Sequence, residues 1–284
     1  VAIMIEVVTD STAYLPPELV NGITVVPLTV ILGGIAGAEG TEVTPATVAA
    51  ALTERRVAVT TSRPSPEQFA RTYRCLLDAG ADGVVSVHLS ARLSGTFAAA
   101  TLAAAEVGPR RITVIDSRSA GMALGFCALA AADAAAGGAD LAAASAATSA
   151  AADATTTFFY VDTLEFLRRG GRIGAAEALL GTALSVKPIL HVSDGGIVAR
   201  EKVRTASRAL ERLVDLAVDA AGESEVDVVV HHLVAPARAR EVEAALVGRL
   251  GDQLGQLRTC EVGAVVAAHC GPGLVGVVTR RRPS

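Results

Sequence analysis

The chain has 284 residues, 51% hydrophobic and 19% charged, with 25 basic residues against 29 acidic ones. That length and apolar content suit one large or two ordinary folded domains, and the formal charge of −4 argues against a sequence-independent grip on nucleic acid, which needs a net basic surface. Alanine makes up much of the apolar count, and no run of about 18 apolar residues is free of polar interruption, so a membrane span is not expected. The nearest candidate, residues 122–136, is short and contains Asp133. The N-terminus shows no basic stretch ahead of an apolar one, so no signal peptide is read there. Cys75, Cys127, Cys260 and Cys270 form no CxxC pair and read as buried small hydrophobes in a reducing cytoplasm. The basic run Arg280-Arg281-Arg282 reads as solvated.

Residues 3–8 are rich in β-branched side chains and predict a central strand, followed by a short helix from Pro16-Pro17. Residues 23–32 read as one strand ended by Gly33-Gly34, with a hairpin return over 35–38. Thr44 as N-cap and Pro45 at the first helical position start a helix to about residue 55. A short strand at 57–60 leads to a loop, Thr61-Ser62-Arg63-Pro64, and Ser65-Pro66-Glu67-Gln68 has capping-box spacing. Residues 84–87 predict a buried strand, 88–93 a polar loop, and 97–106 a helix. A strand at 111–115 and alanine-rich helices at about 120–136 and 141–152 complete a strand–helix alternation. That alternation predicts a mostly parallel sheet with helices on both faces.

The pattern changes near residue 155. A strand at 156–161, a short helix at 162–167, a basic glycine turn at 168–172 and a helix over 175–184 follow. Residues 186–192 and 197–203 flank Asp194-Gly195-Gly196, a strong hairpin signal. Helices at 205–220 and 236–250 and strands at 226–231, 257–262 and 273–279 close the chain. A hairpin among such units predicts an α+β second domain. The expected division is an α/β N-terminal domain of residues 1–155 and an α+β C-terminal domain of residues 156–284.

The stretch 84–100 organises the search for a site. A strand, a loop and then Ser94-Gly95-Thr96 at a helix start combine a strand's carboxyl end with unpaired N–H groups that suit an anion. Ser94 and Thr96 add hydroxyls there, and Gly95 permits close approach to the backbone. Taken alone, Ser94 is a helix cap. Four strand ends carry hydroxyl clusters, at 9–12, 60–62, 90–96 and 116–119, and strand ends of a parallel sheet share one edge. At Asp10-Ser11 and Asp116-Ser117 local turn chemistry is the better reading. There is no GxSxG elbow, Walker loop, HExxH or complete dinucleotide fingerprint. His231-His232 sit side by side on a strand and so point to opposite faces, which argues against a shared metal. His269 stands beside a Gly-Pro-Gly turn, where a rigid position at a strand end is expected; lone histidines are more often structural. Arg172 and Arg204 lie near turns and can pair with an anion or with a partner's acidic group, although most such arginines simply face water. Neutral hydroxyls and helix N–H groups suit a carboxylate better than a phosphate. The residues alone lead to a small anionic or amphipathic ligand at the carboxyl edge of the sheet.

Taken in order, Val8-Thr9-Asp10-Ser11-Thr12, Thr61-Ser62-Arg63-Pro64-Ser65, Leu93-Ser94-Gly95-Thr96, Ile115-Asp116-Ser117, the run from Leu164 to Arg172 with Lys187-Pro188-Ile189, Lys202-Val203-Arg204 and His269-Cys270-Gly271-Pro272-Gly273 carry a resemblance over essentially the whole chain. The sequence resembles the DegV family of bacterial fatty-acid-binding proteins. The resemblance implies a two-domain α/β protein with one long-chain fatty acid between its domains. It implies a carboxylate bound by Thr61 and Ser94, with Ser62, Gly95 and Thr96 alongside and His269 near the head group. His269 together with Arg204 is implied in work with a separate fatty acid kinase, and Arg172 is placed in the same partner or head-group region. No cofactor, metal or catalytic residue of the chain's own is implied. Two positions depart from the family pattern: Arg63 stands where Gln is usual, and Cys270 where Thr or Val is usual.

Three readings compete. The first is a cytoplasmic lipid carrier that presents its acid to a kinase. The second is a serine-dependent hydrolase or acyltransferase with Ser94 as nucleophile and His269 as base, which needs the two within hydrogen-bond reach. The third, a regulatory nucleic-acid binder, is disfavoured by the acidic charge.

Overall fold

The computed structural model describes residues 3–54, 57–179 and 187–283. The chain opens with β1 (Ile5–Asp10) and β2 (Ile23–Val26), then runs through β3 (Thr29–Leu32), β4 (Ile35–Ala38), α1 (Pro45–Glu54) and β5 (Val59–Ser62). Next come α2 (Pro66–Asp78), β6 (Gly83–His88), α3 (Thr96–Val107), β7 (Ile112–Asp116), α4 (Met122–Ala136) and α5 (Leu141–Asp153). The remainder supplies β8 (Thr155–Tyr160), α6 (Glu165–Arg169), β9 (Lys187–Ser193), β10 (Gly196–Val203), α7 (Ala206–Ala221), β11 (Val226–His232), α8 (Pro236–Leu250), β12 (Leu254–Glu261), α9 (Ala264–Cys270) and β13 (Val275–Arg281). Among the described residues no helix is long and apolar enough to cross a membrane.

Two compact units divide the chain: Val1–Thr29 with Ser62–Asp153, and Val30–Thr61 with Ala154–Ser284. A single boundary at 155/156 therefore leaves out an excursion, because residues 30–61 belong with the C-terminal part. The physical marker of the departure is Pro27. The expected strand over 23–32 is two strands, β2 and β3, because proline has no N–H for a ladder. The next N–H, of Leu28, goes to Ser11 Oγ at 2.9 Å.

In the first unit β2, β1, β6 and β7 form a fully parallel sheet in that order. Strand order reverses between β1 and β6, so the carboxyl ends of those two strands flank the switch point where ligands bind in such sheets. Val8 and Val84 meet Phe69, Ala70 and Tyr73 of α2 and Ala99, Ala100, Ala103 and Ala104 of α3 in one buried cluster. The alanines let α3 lie close to the sheet, and the large side chains come from α2. Ser65 caps α2 with a complete capping box, its hydroxyl taking the Gln68 N–H and the Gln68 side chain taking its own.

The switch point is built on one carboxylate. Asp10 Oδ2 accepts from Leu89 N at 2.9 Å and lies 3.1 Å from His88 Nδ1. Its Oδ1 accepts from Thr12 N at 3.1 Å and Thr12 Oγ1 at 2.6 Å. His88 Nε2 continues to Ser86 Oγ at 2.7 Å, and Ser86 to Tyr73 Oη at 2.7 Å. All of these side chains are fully buried, and burial pushes the Tyr73 phenol above its ordinary pKa. His88, expected in a loop, is the last residue of β6. The loop after β1 and the loop after β6 are thus tied to one acid.

The second unit carries a mixed six-stranded sheet, β10-β9-β8-β13-β11-β12, in which only β11 and β12 run parallel. Val226, Val228 and Val230 of β11 and Val275 and Val277 of β13 alternate onto one face. There they meet Leu213 and Ala217 of α7 and Val242 and Leu246 of α8. Asp194 and Gly195 turn the β9–β10 hairpin with φ of 47° and 79°, the pair of left-handed residues that the tightest hairpin needs. A separate three-stranded sheet, β4-β3-β5, lies in the excursion. The helix expected over 175–184 is a 3-10 stretch over Gly174–Leu179, and its remainder lies outside the described residues.

The C-terminal arginines are not simply solvated. Arg280 and Arg282 both bond Asp227, each at 2.7 Å. Burial acts to raise the Asp227 carboxyl pKa, and the two guanidinium groups outweigh it, so the net shift is downward. Among the cysteines, Cys127 and Cys270 are buried, whereas Cys75 is exposed. It faces out because α2 buries the side opposite, at Phe69, Ala70 and Tyr73.

Removing the buried acid strands several donors at once. Asp10→Ala is expected to cost about 3–5 kcal/mol of stability, the range for breaking a buried, fully bonded charge. Arg74→Ala, which breaks the exposed pairs to Glu67 and Glu106, should cost less than about 1 kcal/mol. Urea unfolding of the two variants against the parent checks the contrast.

Candidate functional site

The Ser94-Gly95-Thr96 loop leaves β6 at the switch point. Its backbone is folded on itself, with the N–H groups of Leu93 and Ser94 both directed at Ser90 O, 3.0 Å away. The residue that caps α3 is Gly95, which has no side chain to offer. Ser94 stands one residue earlier, half-buried, and its hydroxyl accepts from Thr96 N at 3.3 Å and pairs with Thr96 Oγ1 at 2.9 Å. Thr96 is buried. Of the two hydroxyls, Ser94's is the one left at the surface.

The neighbouring hydroxyls are occupied locally, as turn chemistry predicts. Asp116 Oδ1 takes the N–H groups of Ala91 and Arg118 at 3.2 and 2.8 Å. The Ser117 hydroxyl donates to Ser119 O and accepts from Ser119 N, at 3.3 and 3.2 Å. The fourth hydroxyl cluster, at 60–62, is not on the parallel sheet: Thr60, Thr61 and Ser62 lie on β5. The strand extends into the expected loop as far as Ser62, so successive side chains face opposite ways. Thr61 is half-buried and Ser62 exposed.

Thr61 has a specific partner within its own unit. Its Oγ1 lies 2.9 Å from His269 Nε2. His269 was expected at a strand end and instead occupies the last turn of α9, a helix the sequence reading did not predict. Its N-terminus is held by Glu39, whose Oε1 accepts from Val265 N at 2.7 Å. The excursion thus brings both Thr61 and a cap for the histidine's helix.

The turn after α9 explains why a distant run of sequence accompanies it. Gly271 has φ of 72°, and a Cβ there would stand 2.1 Å from the Phe166 ring. Gly273 has φ of 90°, and its Cβ would meet Asp162 Oδ2 at 2.0 Å. Gly170 has an ordinary φ of −74°, yet a Cβ on it would come within 2.2 Å of His269 Nδ1. The segment 162–172 therefore wraps the histidine turn, and each glycine marks a close approach. Asp162 is fixed in turn by Arg238 at 3.1 Å and by the Tyr160 hydroxyl, while Arg172 Nη1 bonds Gly170 O at 2.6 Å.

This packing decides the histidine's chemistry. Burial first, and the Arg172 charge second, lower its pKa to about 4, so the ring is neutral at pH 7. Nδ1 is buried with no hydrogen-bond partner. A proton there would be a stranded donor, whereas a proton on Nε2 has Thr61 Oγ1 to accept it. With the hydroxyl oxygen accepting from His269, the Thr61 O–H is free to donate to an anion. Ser94 and His269, the pair required by the hydrolase reading, each bond to a different group, Thr96 and Thr61. Cys270 is buried and its thiol pushed up to about 12, so it is no nucleophile. Arg204 is exposed just beyond β10. His231 is buried with Nδ1 3.3 Å from Cys260 O, and His232 lies 4.0 Å from Glu261.

Sequence reasoning missed Asp10 and His88 as an organising pair, and Glu39 and Gly170 as supports. A buried histidine closing an apolar strand was the one signal available for His88. Nothing in the spacing pointed from Gly170 to a histidine 99 positions on.

Comparison with known proteins gives a consistent result. The DegV family model, described as "Uncharacterised protein, DegV family", matches residues 4–282. A DegV domain-containing protein of Streptomyces coelicolor is 54% identical over 283 residues, covering 98% of this chain and 99% of that protein. A solved DegV family protein of Thermus thermophilus, described for its fatty acid binding, is 36% identical with a TM-score of 0.93, covering 99% of this chain and 100% of its own. DegV of Bacillus subtilis, described as a fatty acid binding protein, is 31% identical with a TM-score of 0.88 and the same coverage.

Gly170→Ala tests the seal on His269, because its backbone accepts alanine without strain. The expected result is a displaced ring whose pKa rises from about 4 towards the ordinary value, read by NMR titration of the imidazole protons. A ring that still titrates near 4 would refute the argument. The unfolded chain protonates His269 and His231 near pH 6.5, and the folded chain only near 4. The unfolded state therefore binds more protons between these values, and stability rises with pH across them. Thermal melts should show a plateau above about pH 6.5 and a falling Tm from there towards pH 4.

Proposed function

This chain belongs to the DegV family, and from that premise we propose that it is a carrier of one long-chain fatty acid rather than an enzyme. The carboxylate accepts the Thr61 O–H and the Ser94 O–H, with Ser62, Gly95 and Thr96 around it, and the tail occupies an apolar tunnel. His269 acts through Thr61, holding the hydroxyl oxygen so that its proton points at the ligand. The observation that carries this reading is the Thr61–His269 bond of 2.9 Å beside a sealed, neutral ring. It is supported by the two solved relatives described as binding fatty acids.

A carrier of this kind presents its acid to a separate fatty acid kinase in the bacterial cytoplasm. The sequence carries no Walker loop. Arg204 and Lys202, two residues apart and both exposed at the edge strand β10, supply a cationic surface for that partner, with Arg172 nearer the head group.

Each buried CH₂ contributes ~0.8 kcal/mol, so affinity should climb steeply with chain length. Mass spectrometry of the denatured, purified protein should release a long-chain fatty acid. Displacement assays over a series of saturated acids should show roughly fourfold tighter binding per added CH₂ until the tunnel is filled. An empty protein that takes up no added acid, or an affinity independent of length, would sink the proposal.

A further inference from the structure

Arg63 carries an inference that rests on the fatty-acid reading and narrows it. Its backbone is stiff: Pro64 follows and is buried, which holds residue 63 extended, and the capping box of α2 begins at Ser65. From that fixed base the side chain lies on Gly95. A Cβ at residue 95 would stand 2.8 Å from Arg63 Nη1, 2.9 Å from Cδ and 3.2 Å from Cζ. Gly95 has an ordinary φ of −76°, so what its missing side chain provides here is room for the guanidinium.

Arg63 is exposed, as are Arg71 and Arg110 of the same unit, and its guanidinium is available to a ligand. Arg74 and Arg118 of the same unit each pair with a carboxylate, and Arg111 bonds the carbonyls of Ala81 and Asp82. Among the described residues no carboxylate pairs with Arg63. It rests on Gly95 at the amino end of α3, where the helix already carries partial positive charge. Two positive groups converge with nothing negative between them. The hydroxyls of Thr61 and Ser94 can hold a neutral or an ionised head group alike, since a hydroxyl donates to either. A guanidinium favours only the ionised one.

We propose that Arg63 is a specificity-determining residue that makes the head-group site select an ionised carboxylate over a neutral head group on the same chain. The test is displacement of a bound fluorescent fatty acid by hexadecanoate and by hexadecanol, at low and physiological salt. The parent should prefer the acid. Arg63→Gln should weaken the acid about three- to tenfold and leave the alcohol unchanged. Arg63→Lys should keep most of the preference at low salt and lose it at higher salt, because an ammonium lacks the planar fork. An acid-to-alcohol ratio unchanged in Arg63→Gln overturns the role of Arg63 and leaves the carrier reading standing. A parent that binds neither ligand overturns the carrier reading, and this inference with it.

Discussion

The site depends on one tight approach, that of Gly170 to the His269 imidazole. Burial and a nearby arginine keep the ring neutral, and the absence of a side chain at residue 170 lets Nδ1 lie buried against the backbone with no hydrogen-bond partner. The ring then has one useful atom, Nε2, and one partner, Thr61. The hydrogen bond has a direction because the other nitrogen is closed off. A histidine open on both sides would leave the Thr61 proton free to turn inward.

A second buried network works differently. Ser86, His88 and Asp10 follow the order of a hydrolytic triad, with contacts of 2.7 and 3.1 Å, yet every member is fully buried and Tyr73 occupies the serine hydroxyl. The string reaches no substrate. Its work is done at the other end, where Asp10 gathers the N–H groups of Thr12 and Leu89. Loops that leave two adjacent parallel strands are thereby held at fixed heights above the sheet. Geometry alone would have suggested catalysis, and burial decides against it.

Much of the fold was legible. Alternating strands and helices up to residue 153 specified the parallel sheet, and Asp194-Gly195 specified its hairpin through the positive φ both residues adopt. The capping box at Ser65 stands as read. Three local readings failed for physical reasons. Pro27 divides a run that is continuous in hydropathy. β5 continues through polar residues, because a ladder is satisfied by backbone groups whatever the side chains. α9 went unpredicted because its seven residues are too few to show helical periodicity.

Local order, chain composition and the ordered set of short motifs are properties of neighbouring residues, and the sequence by itself determined them: two kinds of sheet, the hydroxyl-bearing strand ends and the family. Which unit residues 30–61 join, which nitrogen of His269 is free, and that Arg63 lies on Gly95 were decided only by tertiary structure. Each depends on atoms that meet across tens to hundreds of residues of chain, and periodicity carries no information over such spans. Glycine shows the difference most plainly. In the sequence Gly170 reads as half of a flexible turn; in the fold it is the space that a histidine requires.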